Sequence, residues 1–300
     1  MSLIVITPDD DGYDTNSPTF LVYDSVSKEL VHRCEKLPIL DCAYVVGRPT
    51  FRPFGITSDS KYLYVASHNK LGMFNKQTYQ FIDLVDVPVP LFVNTHEIAA
   101  CYGLLYVANT ANDTIGIHDI EKQYSMFLNV NTFKMSTEVD TPTDVVSHDG
   151  AHVNALCVTE DRVYFSLHNL GKRASQLGYI NLDTWGVEIV AEAGLCTHGV
   201  RVLNGKLYSL STGTGEIIEV DLATKAAAQY KVVNPTKTFL RGLDVLDGAI
   251  IFGGSNTYSD ERTIYMNNCF IAQFDSETKK STVLMNIAAA NIMADMKVLN

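Results

Sequence analysis

The chain has 300 residues, of which 46% are hydrophobic, so it can bury a large core without needing a second domain. Its formal net charge of −11 and its scattered lysines and arginines argue against nucleic acid or an anionic membrane as a partner. It contains no run of about eighteen apolar residues and no basic-then-apolar leader, so we expect a cytoplasmic protein outside the membrane.

The six cysteines include no CxxC pair. We therefore expect buried thiols that act as small hydrophobic side chains, in a reducing compartment. A disulfide between Cys34 and Cys42 is the alternative for that pair.

The first predicted strands lie at residues 3–6, 20–23 and 30–32, where β-branched and aromatic residues dominate. A four-stranded repeat would lack its first strand here. The C-terminal segment 294–300 has the pattern of residues 198–204 and would supply that strand. We expect the C-terminal strand to pair with the N-terminal strands and close a ring, which removes an exposed sheet edge.

A strand–turn–strand pattern recurs along the rest of the chain. Each copy has an apolar strand, a tight turn such as Asn204-Gly205 or Asp247-Gly248, and a second strand. This repeat predicts an all-β fold, a six-bladed β-propeller in a single domain over residues 1–300, with its last blade closed by the C-terminal strand. The residues that begin the inner strands are called here the mouth positions, and they are Arg52, His96, His152, His198, Arg241 and Ala294.

The predicted loops are unequal in length. Turns between first and second strands are short, whereas the long insertions, at residues 8–18, 131–151, 169–176 and 253–268, fall at the other ends of the strands. The mouth positions lie on this second face, because the inner strands begin there. Long loops on one face of a rigid scaffold usually mark the functional side.

Three of the mouth positions are histidines, His96, His152 and His198. Equivalent positions of a closed ring point at one centre, so their imidazoles should converge near the axis. Three imidazoles with an open coordination position have the composition of a Zn, Fe, Mn or Cu site, and we predict a divalent metal ion there. The alternatives are a metal-free polar site and histidines that merely cap their strands.

Two further mouth positions, Arg52 and Arg241, lie on either side of Ala294. Two cations beside a metal would repel it unless an anion lay between them, so we predict that these arginines bind a small anionic molecule through its carboxylate or phosphate. The alternative is a pair of salt bridges between blades, with Glu97 or Asp244 as partners.

Residues two positions beyond the mouth should form one layer below it if side chains alternate along each strand. That layer would plug the channel and leave a pocket above it. Asn154 is its one polar member and is predicted to bind substrate; the others are Phe54, Ile98, Val200, Leu243 and Met296.

Two more histidines, His68 and His168, share a second equivalent position, at the ends of second strands near the mouth. We predict catalytic roles for them, in general acid–base transfer or in orienting substrate. The alternative is that they are surface loop histidines.

The segment Tyr106-Val-Ala-Asn-Thr-Ala-Asn-Asp-Thr-Ile-Gly-Ile-His-Asp resembles the YVTN repeat, and Pro53-Phe-Gly-Ile56 resembles the opening of NHL-type blades. The likeness covers the blade pattern over most of the chain. It implies a propeller, and propellers of this broad class include metal-dependent lactonases, lyases and plain binding scaffolds.

Two functional hypotheses follow. The first is a small-molecule enzyme whose three-histidine metal centre and two arginines act on an anionic substrate, as a lyase, a hydrolase or a non-haem metal oxygenase. The second is a non-catalytic propeller scaffold that binds a small molecule or a protein partner. Polarity concentrated at one axis favours the enzyme, because a scaffold should show equivalent patches on many blades.

Overall fold

The computed structural model shows a six-bladed β-propeller, in which antiparallel sheets are arranged around one axis. It describes residues 2–8, 18–40, 42–45, 48–50, 53–67, 70–86, 95–137, 150–232, 238–256, 269–288, 290 and 293–299, with the backbone alone at 42–45, 48–50, 238 and 256. Within these residues there is no α-helix, and the helical turns are the 3₁₀ segments Pro38–Leu40, Thr110–Asn112 and Asn169–Gly171. No helix there has both the length and the apolarity needed to span a bilayer.

The N-terminal part of the chain forms three strands of one blade, a hairpin and two complete blades. The first three strands are β1 (Leu3–Pro8), β2 (Phe20–Asp24) and β3 (Leu30–Cys34). The hairpin is β4 (Cys42–Val45) and β5 (Arg48–Thr50). Blade 1 is β6 (Gly55–Ser58), β7 (Tyr62–Ala66), β8 (Leu71–Asn75) and β9 (Phe81–Leu84). Blade 2 is β10 (Thr95–Cys101), β11 (Leu104–Asn109), β12 (Thr114–Asp119), β13 (Tyr124–Asn129) and a fifth strand, β14 (Lys134–Ser136).

The C-terminal part forms three complete blades and one last strand. Blade 3 is β15 (Val153–Val158), β16 (Arg162–Leu167), β17 (Gln176–Asn181) and β18 (Val187–Glu192). Blade 4 is β19 (Thr197–Leu203), β20 (Lys206–Ser211), β21 (Glu216–Asp221) and β22 (Ala227–Lys231). Blade 5 is β23 (Thr238–Leu246), β24 (Ala249–Asn256), β25 (Cys269–Asp275) and β26 (Lys280–Ile287), and the chain closes with β27 (Met293–Leu299).

The ring closes as the sequence predicts. Strand β27 pairs antiparallel with β1, with Leu3 opposite Leu299 and Ile6 opposite Met296, and blade 6 has the order β27-β1-β2-β3. Because both chain ends contribute to one sheet, β1 is paired on both sides and is not left as an edge strand.

The turns between the third and fourth strands repeat one hydrogen-bonding device. The side-chain Oδ1 of its first residue accepts the N–H groups two and three residues further on, as Asp221 does from Ala223 at 3.1 Å and from Thr224 at 2.8 Å. The residue four positions on, here Lys225, has a positive φ of 61°. The same device occurs in the other turns of this kind, at Asp24, Asn75, Asp119, Asn181 and Asp275, and at Asn129, in the turn between the fourth and fifth strands of blade 2.

The apolar cores lie between neighbouring blades, one for each pair. The predicted apolar layer across the channel is therefore wrong. Ile98, Val200, Leu243 and Met296 belong to four different cores. The physical reason is that each sheet runs radially, so both faces of an inner strand are turned towards the adjacent blades and not towards the axis.

Inner strands of blades 2 to 6 are irregular at the mouth. Each contains a β-bulge within two residues of its mouth position, where the register shifts by one residue. A bulge bends its strand and changes the direction of the side chains that follow. The alternation of side chains between the two faces of the strand is therefore broken at the mouth position. The bulges fall at residues 96–97, 154, 199, 242 and 294.

Gly199, at the bulge of blade 4, is a position that requires glycine. Its φ is +65°, and an added Cβ would lie 2.6 Å from the Cβ of Leu243 in the next blade. We expect Gly199→Ala to lower the free energy of unfolding by about 2–3 kcal/mol, from backbone strain together with the clash. Gly205→Ala is the matched control, because Gly205 has a φ of +73° but open space around the added methyl. Equal losses in urea unfolding of the two variants would contradict the close packing at Gly199.

Candidate functional site

Four imidazole rings form a continuous arc at the mouth of the propeller. The ring centroids of His96 and His152 are 5.1 Å apart, those of His152 and His168 are 4.7 Å apart, and those of His168 and His198 are 5.2 Å apart. The structure thus brings the three predicted metal ligands together and adds His168, which was predicted as a catalytic residue. The arc spans blades 2, 3 and 4.

The arc is flanked by two phenylalanines and ends at an arginine. Phe54 stacks on His96, with centroids 5.1 Å apart and planes inclined by 16°, and Phe239 lies 5.9 Å from His198. The guanidinium carbon of Arg241 lies 5.0 Å from the centroid of Phe239. An arginine whose face rests on an aromatic ring can still offer the N–H groups at its edge to an anion. The other predicted members, Arg52 and His68, lie outside the described residues.

His152 is held by a carboxylate that the sequence analysis did not single out. Its φ is +55°, which is uncommon for a residue other than glycine. Its N–H donates to Oδ1 of Asp113 at 2.7 Å, while Oδ2 of Asp113 accepts the N–H groups of Gly150 at 2.8 Å and Ala151 at 2.9 Å. The N–H of His168 then donates to the carbonyl of His152 at 3.0 Å. Asp113 is therefore a positioning residue for two of the four histidines.

His198 is buried and its tautomer follows from its partners. Its Nδ1 lies 2.9 Å from the carbonyl of Cys196 and 2.8 Å from Oγ1 of Thr212, whose hydroxyl donates to the carbonyl of Leu240 at 2.6 Å. Since a carbonyl only accepts, Nδ1 carries the proton and Nε2 carries the lone pair. Burial first, and then the charges of Arg241 and the neighbouring imidazoles, lower the pKa of His198 well below 6.5. A neutral imidazole anchored through Nδ1 can ligate a metal or accept a proton through Nε2.

The four imidazoles have the composition of a metal site, and neighbouring rings of the arc have its spacing, but the four are not arranged to hold one ion. Zn–N bonds of about 2.1 Å at tetrahedral angles place neighbouring imidazole centroids about 5 Å apart, which is the spacing of the arc. Yet the described residues contain no group of three or more His, Cys, Asp or Glu side chains arranged to hold a metal ion. The rings would therefore have to turn to share one ion.

Asn154, predicted to bind substrate, is the extra residue of the bulge in blade 3. It is 3% exposed, and its Nδ2 has no hydrogen-bond partner within the part of the chain that the structure describes. It is therefore a buried amide with an unused donor, and its role in substrate binding stays a prediction.

A second polar group, which we call the axial charge cluster, lies further along the inner strands. Arg201 donates from Nη1 to Oε1 of Glu97 at 2.9 Å and from Nε to Oδ1 of Asp244 at 3.0 Å. Lys297 lies 3.3 Å from the other oxygen of Asp244. Glu97 and Asp244, which were considered as partners of the mouth arginines, are thus bound by Arg201, and Asp244 also by Lys297. The cluster consists of Glu97, Arg201, Asp244, Asp295 and Lys297.

Hydrogen bonds of the axial charge cluster link the blades in a closed circuit. Arg201 of blade 4 also donates to the carbonyl of Leu156 in blade 3 at 3.2 Å. In blade 6, the N–H of Val298 donates to Asp244 of blade 5 at 2.7 Å, and Asp295 accepts from the N–H of Ile56 in blade 1 at 3.0 Å. A hydrogen bond outside the cluster completes the circuit where blade 2 meets blade 1: the N–H of Ala100 donates to Oγ1 of Thr57 at 3.0 Å.

Repeat spacing could have revealed this cluster. Arg201, Asp244 and Lys297 all lie three residues beyond a mouth position, in strands that are otherwise apolar. Charged residues of opposite sign at one repeat position of a buried strand are expected to pair, because an unpaired buried charge is costly.

Residues 43–298 match a protein family described as "Domain of unknown function (DUF4915)". The chain belongs to this family. No protein of curated function matches it. The resemblance to YVTN and NHL repeats holds for the propeller architecture, while the family shown is DUF4915.

Solved structures with a fold similar to that of this DUF4915 chain are distant from it in sequence. A chain of a nidogen/laminin complex has a TM-score of 0.67 and 7% identity, over 99% of this chain and 98% of the other. A protein of unknown function from Bacteroides caccae has a TM-score of 0.62 and 9% identity, over 99% and 98%. Streptogramin B lyase has a TM-score of 0.52 and 14% identity, over 77% and 67%. Identities this low show the fold alone.

Burial perturbs the carboxyl groups of the axial charge cluster in this DUF4915 protein. Burial first, and the charge of Asp295 second, raise the pKa of Glu97 to about 8, although Arg201 acts to lower it. Burial likewise raises the pKa of Asp295 to about 6. For Asp244 the balance is reversed: burial acts to raise its pKa, but Lys297 and Arg201 together lower it.

The raised pKa of Glu97 has a consequence for stability. A carboxyl group whose folded-state pKa of about 8 exceeds its ordinary 4.5 contributes stability that is complete below pH 4.5 and is lost as the pH rises towards 8. Glutamine does not ionise, so the Glu97→Gln variant should not lose stability in this way. We expect the free energy of unfolding of the variant to fall less between pH 4.5 and 8 than that of the wild type. Urea unfolding across this range checks it, with the exposed Glu160→Gln as control; an unchanged slope in Glu97→Gln would contradict it.

Proposed function

We propose that the mouth of this propeller is the site of a small-molecule enzyme that uses a divalent metal ion and acts on an anionic substrate. The observation that supports this proposal is the continuous arc of four imidazoles that ends beside Arg241. Reaction classes that suit such a donor set are those of a lyase, a hydrolase or a non-haem metal oxygenase. We also propose that the enzyme works in the cytoplasm without nucleic acid or membrane, in keeping with its net charge of −11.

Each residue of the arc has a distinct proposed task. His96, His152 and His198 would hold the ion, for which His198 offers Nε2 because its Nδ1–H is anchored. A Zn, Fe, Mn or Cu ion would supply Lewis acidity or activate water or O₂ there. His168 is half-buried between two of these rings, where it can become a fourth ligand or move a proton to or from the substrate.

The substrate would bind on the arginine side of the arc. Arg241 rests its guanidinium face on Phe239 and can bind a carboxylate or phosphate through two N–H groups at its edge. Arg52, at an equivalent mouth position, is proposed as its counterpart across Ala294, and His68 as the counterpart of His168. Asn154 would donate its unused amide N–H to the substrate.

A metal-free binding scaffold is the second candidate. The observation that favours it is that no group of the described His, Cys, Asp and Glu side chains is arranged for a metal ion. In that case the site would bind an anion through Arg241 and the imidazoles alone, and the propeller would carry a ligand or a protein partner without changing it.

Calorimetric titration with oxalate, a small dianionic probe, separates the two candidates. We expect oxalate to bind the metal-stripped protein weakly and to bind at least about tenfold more tightly after one equivalent of Zn²⁺ or Mn²⁺ is added, because the metal and Arg241 then share the anion. Arg241→Lys keeps the charge but loses the planar fork, so it should weaken oxalate binding while the protein stays folded. An affinity for oxalate that is the same with and without the metal would favour the scaffold. An affinity that is unchanged in Arg241→Lys would overturn the anion site.

A further inference from the structure

A pocket lies towards the end of the inner strands that is opposite to the histidine arc. It has a volume of about 470 Å³, which is in the range of small-molecule sites. Arg241 lies in the first half of β23, whereas the pocket is lined from Asp244 onwards to the turn into β24, so three to seven residues, or roughly 10–23 Å of strand, separate Arg241 from its lining. The pocket is lined by Asp244, Val245, Asp247, Gly248, Lys297 and Val298.

Lys297 brings a cation with unused donors to this pocket. Its side chain is 27% exposed, and within the described residues its one ionic partner is Asp244, at 3.3 Å. The charge of Asp244 is already paired with Arg201 at 3.0 Å, and its second oxygen accepts the N–H of Val298 at 2.7 Å. Since an ammonium group has three donors, Lys297 can bind an anionic group of a ligand.

Asp247 brings a carboxylate to the rim of the same pocket. It is exposed in the tight turn between β23 and β24, with a φ of +49°, and makes no ion pair or hydrogen bond within the described part of the chain. A ligand that carried only negative charge would be repelled by Asp247, and a purely cationic ligand would be repelled by Lys297. A ligand with both charges avoids both penalties.

We propose that this pocket is a second binding site, which takes a small zwitterion of the α-amino acid class. The carboxylate of the ligand pairs with Lys297, its ammonium group pairs with Asp247, and its side chain occupies the remaining volume beside Val245 and Val298. The site goes beyond the proposed function, because none of its residues belongs to the histidine arc and it requires neither the metal ion nor Arg241.

Saturation-transfer NMR of the full chain tests this site with the twenty common L-amino acids, supplied in pools at millimolar concentration. We expect one or a few of them to bind, and we expect propionate and propylamine, which each carry one of the two charges, to bind at least about tenfold more weakly. Absence of binding by every amino acid, or equal binding of the single-charge probes, would overturn the proposal.

Variants locate the bound amino acid. Asp247→Asn removes the rim charge at a position where asparagine suits the positive φ, so the fold is kept, and Lys297→Met removes the ammonium group at similar length. Each should weaken binding about tenfold or more, while Arg241→Lys should leave it unchanged. Binding unaffected by Asp247→Asn would overturn the proposal, and so would binding that is lost in Arg241→Lys, since that would place the ligand at the mouth.

Discussion

Replacing Arg201 by methionine is expected to lower the free energy of unfolding by about 3–5 kcal/mol. Methionine keeps the apolar stem but removes a guanidinium that is 10% exposed and bound to Glu97 and Asp244. Asp244 would keep Lys297 and the N–H of Val298, but Glu97, with its side chain 6% exposed, would lose the guanidinium that donates a hydrogen bond to it. The circuit of hydrogen bonds between blades would also be opened on the axis.

Equilibrium urea unfolding of Arg201→Met measures this loss. Arg162→Met is the matched control, because Arg162 is 33% exposed and pairs with Asp161 at 3.3 Å on the surface, so its replacement should cost at most about 1 kcal/mol. Adding Glu97→Gln to Arg201→Met should recover part of the stability, since it removes the buried carboxyl group. A loss of about 1 kcal/mol or less in Arg201→Met would contradict a stabilising role for the axial charge cluster.

Deleting residues 294–300 is expected to abolish cooperative folding. The deletion removes nearly all of β27, exposes the edge of β1 and takes Met296, Val298 and Leu299 out of the apolar cores on both sides of blade 6. It also removes Asp295 and Lys297 from the axial charge cluster. Unpaired edges and exposed apolar faces promote aggregation, so the truncated chain should elute as aggregate and show no thermal transition by circular dichroism.

A circular permutant separates the loss of the strand from the mere opening of the chain. If residues 300 and 2 are joined by a short linker and new termini are made in the exposed turn at residues 223–225, all strands are retained. This permutant should fold and melt cooperatively. A truncated chain that melts like the full chain would show that β27 is dispensable and that blade 6 does not close the ring.

Most of the fold could be predicted from local patterns in the sequence. Turn residues with positive φ, such as Asn204 at +50° and Gly205 at +73°, stand where tight turns were expected, and the match between the two chain ends predicted blade 6. These signals are local or repeated, so one sequence contains them in full. The seven asparagine and aspartate turns are equally regular, and they follow from side-chain hydrogen bonds two and three residues away.

The candidate site was less predictable, because bulges and distant pairs shape it. The two-residue alternation of a regular strand placed Asn154 and five apolar residues in one layer, but the bulge at the mouth of blade 3 interrupts this alternation. The partner of Glu97 is 104 residues away, and only the closed ring brings Arg201 to it. Repeat equivalence did place His168 near the mouth, but its contact with the arc depends on the turn that Asp113 holds.

Metal content per chain, measured by elemental analysis of protein purified without a nickel column, tests the central claim most directly. We expect about one Zn, Fe, Mn or Cu ion per wild-type chain, released in acid as the imidazoles protonate, and none in the His96/His152/His198 triple-alanine variant. His32→Ala is the matched control and should keep the ion, because His32 lies on the outer strand of blade 6 beside Tyr79. A wild-type chain without metal, or a folded triple variant that retains a full equivalent, would show that the three histidines do not hold a metal ion.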